Sequence, residues 1–134
     1  MQTNNNITLF NPFIEDHDTI YYGCQIRNVW AIARERIDLD INAEFNLSRV
    51  IVRVPLECAK FSKTYIEPIE YPHSNPDVNF TFIPGSIVVL GIVDEDTATK
   101  GDLVKKYNAL QITKVHDNRY GAIKANWHWK LEGV

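Results

Sequence analysis

SRVIVRVP, residues 48–55, alternates without a break. Arg49, Ile51 and Arg53 fall on one side of an extended chain and Val50, Val52 and Val54 on the other, because successive strand side chains point to opposite faces. The all-valine side suits a core. Pro55 has no N–H to give a ladder, so it ends the pairing. Working outward, TIYYGCQIRNVWAIA (residues 19–33) has the same β-branched and aromatic character, and Gly23 within it suggests a bulge or bend. ARERIDLDI (residues 33–41) reads as a strand or a long hairpin arm, while a helix over 29–36 fits the same residues.

The remaining segments repeat the theme. ITLF (residues 7–10) is a short strand expected to stop at Asn11-Pro12. TYIEPIEY (64–71) is extended, with Pro68 at an edge, and HSNPDVN (73–79) is a loop by composition. Pro84-Gly85 marks a turn before the strand 86–93, which is so apolar that both its faces should be covered. DEDTATKGDLVKKYN holds the one helix signal, near residues 99–107. Thr97 or Thr99 caps it, Leu103, Val104 and Tyr107 share a face, and Asp102 early with Lys105 and Lys106 late suits the dipole. ALQITKVHDNRYG runs as a strand into a turn at Asp117-Asn118, and NWHWKLEG is the last strand. The expectation is a mainly β, small single-domain β-barrel or β-sandwich over residues 7–134, behind a flexible tail of residues 1–6.

Composition narrows the function. The 134 residues carry a net charge of −3, which argues against gripping nucleic acid but not against a protein that DNA merely passes. No apolar run is long enough for a membrane helix, and no basic-then-apolar leader is visible, so a cytosolic origin is expected. Cys24 and Cys58 are too far apart for a Cys-x-x-Cys pair and read as free, mostly buried thiols. His17, His73, His116 and His128 are scattered, and Glu15 to Asp18 reads as a solvated acidic loop rather than a cation site. The sequence lacks a nucleophile elbow, a Walker loop and a dinucleotide fingerprint. No catalytic, cofactor or metal site is expected, and the chain is read as a non-enzyme. Trp127 and Trp129, at strand spacing, should share one face as core or interface. A small ligand-binding barrel using them with Tyr120 is the rival reading.

The order of segments resembles a family of minor structural (minor capsid) proteins. Their genes lie in the head-to-tail joining cluster of tailed bacteriophages and prophages. The resemblance lies in ITLFN, the VIVRVP strand, YIEP, FTFIPGSIVVLGIVDED, LVKKYNALQITKVHDNR and HWKLEG, which together span Ile7 to Gly133. Residues 33–47 match poorly, and Trp127 is an aromatic the pattern does not call for. The resemblance implies a virion protein made in the host cytoplasm. It suggests a head-closure (stopper) ring subunit in the neck, between portal or adaptor and tail. Tail-completion and decoration proteins are alternatives. On that reading the partners are neck proteins and further copies in a ring, with double-stranded DNA passing and no membrane. Asp94, Glu95 and Asp96 would face the channel. His73, Ser74, Asn75, Pro76, Asp77, Val78 and Asn79, with Trp127 and Trp129, would face neighbouring subunits.

Overall fold

The structure, a computed structural model, describes residues 5–36, 46–107 and 109–134. The expected tail lies outside the described residues for 1–4, and Asn5 and Asn6 already belong to the first strand. The hairpin-arm reading of 37–41 likewise lies outside them.

Among the described residues, ten strands and one α-helix follow one another: β1 (Asn5–Glu15), β2 (Asp18–Arg36), β3 (Asn46–Pro55), β4 (Lys60–Phe61), β5 (Thr64–Tyr65), β6 (Asn79–Phe80), β7 (Ile87–Leu90), β8 (Thr97–Ala98), α1 (Lys100–Lys106), β9 (Leu110–Asn118) and β10 (His128–Gly133). The main sheet runs β1-β7-β9-β10-β3-β2, and β2 also pairs with β1, so the pairings close into a ring. The chain is therefore mainly β with one short helix, as expected, and its sheet is ring-like.

β2 makes the closure possible. Its first part pairs with β1 from Asp18 to Val29, and its last part with β3 from Trp30 to Arg36. This excludes the helical alternative over 29–36. Asn5 lies opposite Val29 and Ile7 opposite Ile26, so β2 has one residue more than β1 in that interval. The extra residue is a β-bulge at Asn28, whose φ is +63°. Asn tolerates that left-handed backbone better than most residues. Its N–H donates to Asn6 Oδ1 at 3.2 Å, and its side-chain amide to the Cys58 carbonyl at 3.4 Å. The bulge also switches the inward face. Tyr22, Cys24 and Ile26 are buried before it, Val29 and Ala31 after it, so Trp30 and Ile32 turn outward. Gly23, the expected bend, keeps regular register with Phe10.

β1 does not stop at Asn11-Pro12. Asn11 is fully buried, donating to the Thr81 carbonyl (2.8 Å) and Ser86 Oγ (2.9 Å) and accepting from the Thr81 N–H (3.1 Å). These bonds satisfy its amide where solvent is absent. Pro12 falls beyond the β7 ladder, which ends at Phe10, so its missing N–H interrupts no ladder there.

The core inside the ring is built by Ile7, Leu9, Ile26, Val50, Val52, Val54, Leu131 and Trp129 among others. A second cluster on the outside joins Phe10, Tyr21, Ile87 and Val89 to Leu103 of α1. The β7 strand is thus covered on both faces, as its apolar run implied. Thr99 caps α1, its hydroxyl accepting from the Asp102 N–H at 3.2 Å. Leu103 and Tyr107 share the packed face, but Val104 is 56 % exposed, contrary to expectation. Two further expectations need correction. Cys58 is exposed while Cys24 is buried. Asp117 and Asn118 are the end of β9, opposite Trp129 and His128, and the turn comes after them.

Asn28→Gly should change stability by less than about 0.5 kcal/mol, because Gly adopts the left-handed backbone freely. Asn28→Val should cost at least about 1–2 kcal/mol for the strained φ. Urea unfolding followed by tryptophan fluorescence measures both.

Candidate functional site

Between the short strands β8 and β4, the edge of β2 at residues 23–25 is left to loops. The Gly23 N–H donates to the Asp96 carbonyl at 2.9 Å, and Gln25 Nε2 to the Val93 carbonyl at 3.0 Å. The Gln25 N–H donates to Ser62 Oγ at 2.9 Å. Gly23 is required here by close approach: a Cβ would lie 2.8 Å from the Glu95 carbonyl oxygen and 2.9 Å from the Phe10 ring. The acidic loop is therefore clamped against the strand.

A cavity of about 260 Å³ opens at this edge, lined by Gln25, Lys63, Asp77 and residues 93–96 among others. It joins Asp77 of the expected subunit-contact loop with Asp94, Glu95 and Asp96 of the expected channel-facing loop. The two sequence-derived surfaces are thus one acidic pole. Asp94 and Asp96 are exposed. Glu95 is held, accepting from Lys106 Nζ at 3.2 Å and the Tyr107 hydroxyl at 3.0 Å.

Sequence reasoning missed Lys63, the cation at the centre of this pole. Its ammonium donates to the Pro76 carbonyl at 2.8 Å and stands 5.6 Å from the Tyr22 ring centre. Burial lowers its pKa, while negative charge around it, including Asp77 and Asp96, pushes the other way. Beside it, the Tyr22 hydroxyl donates to Glu15 Oε1. That bond, with burial and the charges of Glu15 and Asp77, pushes the Tyr22 pKa up to about 12. Burial raises the Cys24 thiol, despite its contact with Ser62 Oγ at 3.6 Å. The Lys63 ammonium is directed to a carbonyl and that of Lys106 to Glu95, which leaves Asp77, Asp94 and Asp96 as the exposed carboxylates of the pole. Such a surface repels phosphate and attracts cationic side chains.

The other contact candidates disperse. His73 ends a 3-10 turn, and Asn75 folds its own loop by accepting the Asp77 N–H at 3.0 Å. Pro76 is buried, Val78 is exposed, and Asn79 pairs with Thr64. Ser74 Oγ donates back to the Tyr71 carbonyl at 2.8 Å.

The two tryptophans part company, contrary to the shared strand face expected of them. Trp127 closes the turn before β10, its N–H donating to the Lys124 carbonyl at 3.0 Å, so it lies outside the strand, half-exposed, with Nε1 donating to the Gly121 carbonyl at 3.2 Å. Trp129 is buried against Phe61, Tyr65 and Phe82. Arg119 closes that ring cluster, its guanidinium 4.7 Å from the Trp129 ring centre and 5.3 Å from that of Tyr65. Asp117 grips it through both carboxylate oxygens, at 2.8 Å and 2.6 Å, and Glu67 adds a contact at 3.2 Å. The Arg119 guanidinium holds the Asp117 carboxyl below its ordinary range.

Arg119→Ala should destabilise the fold by about 1–2 kcal/mol, and Arg119→Lys should not restore it, because an ammonium lacks the planar fork that stacks and pairs at once. A depressed carboxylate contributes stability above its ordinary pKa and loses it as pH falls through the lowered value. That acid-side loss should shrink in Arg119→Ala when denaturation midpoints are compared between about pH 5 and pH 2.

No curated protein and no solved structure matches this sequence. A family match covers residues 2–134, almost every position whose packing is described above, and on that match the chain belongs to the family of unknown function DUF6751.

Proposed function

We propose that this chain is a structural subunit of a tailed-phage virion, a head-closure ring component between the capsid-side connector and the tail. The observation that carries the reading is where the resemblance blocks meet. Tyr65 and Glu67 belong to YIEP, Asp117 and Arg119 to KVHDNR, and Trp129 to HWKLEG. All five join in the cluster around Arg119. Segments far apart in sequence that resemble one family are more than chance strings when one packing unit needs them together.

The acidic pole supports the same reading. Asp77, Asp94 and Asp96 line one cavity from two separate loops, which suits a surface for meeting a neighbouring subunit. On this reading Asp94 and Asp96 serve subunit contact as the alternative to the channel-facing role. DNA passes such a ring without sequence-specific contact, and the reading calls for no catalysis. Tail completion and capsid decoration are served by the same features. The ligand-binding alternative loses Trp129, which is 2 % exposed and packed among rings, and keeps the half-exposed Trp127 and the exposed Tyr120.

Particles purified from cells that carry the gene should contain this chain at the neck by cryo-electron microscopy. Its deletion should give DNA-filled heads and separate, unjoined tails. Complete virions of normal infectivity from the deletion strain would contradict the proposal.

A further inference from the structure

The outward face of β2, β3, β10 and β9 is as basic as the pole is acidic. Register places Trp30, Arg53, Lys130 and His116 in one row across it. Ile32, Ile51, Glu132 and Lys114 form the next. Paired residues on adjacent strands lie about 5 Å apart on the same side of the sheet. Arg49 flanks the second row, its Nη2 3.3 Å from Glu132 Oε1, and His116 Nε2 is 3.1 Å from Glu132 Oε2. These bonds hold the Glu132 carboxyl below its ordinary range and cancel part of the one negative charge in the two rows. Lys114 and Lys130 form no ion pair among the described residues. A chain of net charge −3 thus separates its charges onto different surfaces.

We infer that this basic face receives the acidic pole of a second copy of the chain. Charge complementarity selects the occupant: Arg53, Lys114 and Lys130 stand opposite in sign to Asp77, Asp94 and Asp96. Apolar groups match as well. Ile32 is 44 % exposed on the face and Val78 55 % exposed beside Asp77. Nucleic acid fits less well. Glu132 lies within the rows, aliphatic side chains sit among the cations, and the Arg53 guanidinium already covers the Trp30 ring at 4.4 Å from its centre. Because the two patches differ, the contact is head-to-tail. One such contact leaves a face and a pole free, and repeated it generates a closed ring or an open filament. The biological setting rests on the proposed ring subunit, but the contact itself is tested on the pure chain and stands or falls apart from virion location.

Three samples test it by sedimentation velocity in about 50 mM salt, where surface charges are weakly screened. Wild type should self-associate beyond a dimer and dissociate in about 1 M salt. Lys114→Glu with Lys130→Glu, and separately Asp94→Lys with Asp96→Lys, should each weaken self-association by more than about tenfold. Mixed in equal amounts, these two variants should associate again beyond a dimer, because the intact face of one meets the intact pole of the other and the reversed face meets the reversed pole. That rescue also shows that both variants are folded. Wild type that stays monomeric in low salt, or variants that ignore each other on mixing, would overturn the inference. Monomeric wild type that binds a DNA duplex through Lys114 and Lys130 would overturn it too, and assign the face to nucleic acid.

Discussion

One strand has to serve two partners, and the rest of the structure depends on how it does so. β2 is 19 residues long, and it leaves β1 to join β3 at the bulge on Asn28. A bulge bends a strand and increases its twist, which is what a small sheet needs to turn back on itself. The same extra residue exchanges inside for outside. Without it Trp30 and Ile32 would face the core, and Val29 and Ala31 the solvent. Ring closure and the character of the outer sheet face therefore have one origin.

Closure leaves the short edges to be managed. β4 and β8 each add two residues to the free edge of β2, and loops fill the interval between them. Exposed sheet edges invite unwanted pairing, so covering them protects the fold. Here the cover is also where the acidic loop is held, with Gly23 permitting an approach that any side chain would block. Across the molecule, the Arg119 cluster seals the aromatic core beside the last strand. The two regions differ in kind. The first presents Asp77, Asp94 and Asp96 on its surface outside any ion pair among the described residues, whereas the second consumes its charges internally.

Much of this was legible in the residues. Period-two alternation located β3 and the apolar run located β7, because burial on one face or on two leaves different patterns. The helix was legible through its Thr99 cap. The bulge was legible in principle too: inward positions are even through Ile26 and odd from Val29, and that change of phase is the signal. Attention to Gly23 obscured it, since glycine suggests a bend and asparagine does not. Asn11-Pro12 misled for a related reason. Both residues are turn formers, yet tertiary bonds to Thr81 and Ser86 keep Asn11 in a strand. The acidic pole could not be read at all as one surface. Asp77 and Asp94 are far apart in sequence, and only the fold places them around Lys63. Trp127 and Trp129 showed the limit of spacing alone, because the Trp127 N–H closes the turn over Lys124–Asn126 instead of joining the ladder.

The ring closes through β2 as a single cooperative unit. Native-state hydrogen exchange of the β2 amides tests it most directly. Amides on both sides of Asn28 should exchange by the same global opening, with matching dependence on denaturant. If the segment paired with β1 and the segment paired with β3 opened separately, with distinct free energies, the ring would be two sheets that merely touch, and the claim would be contradicted.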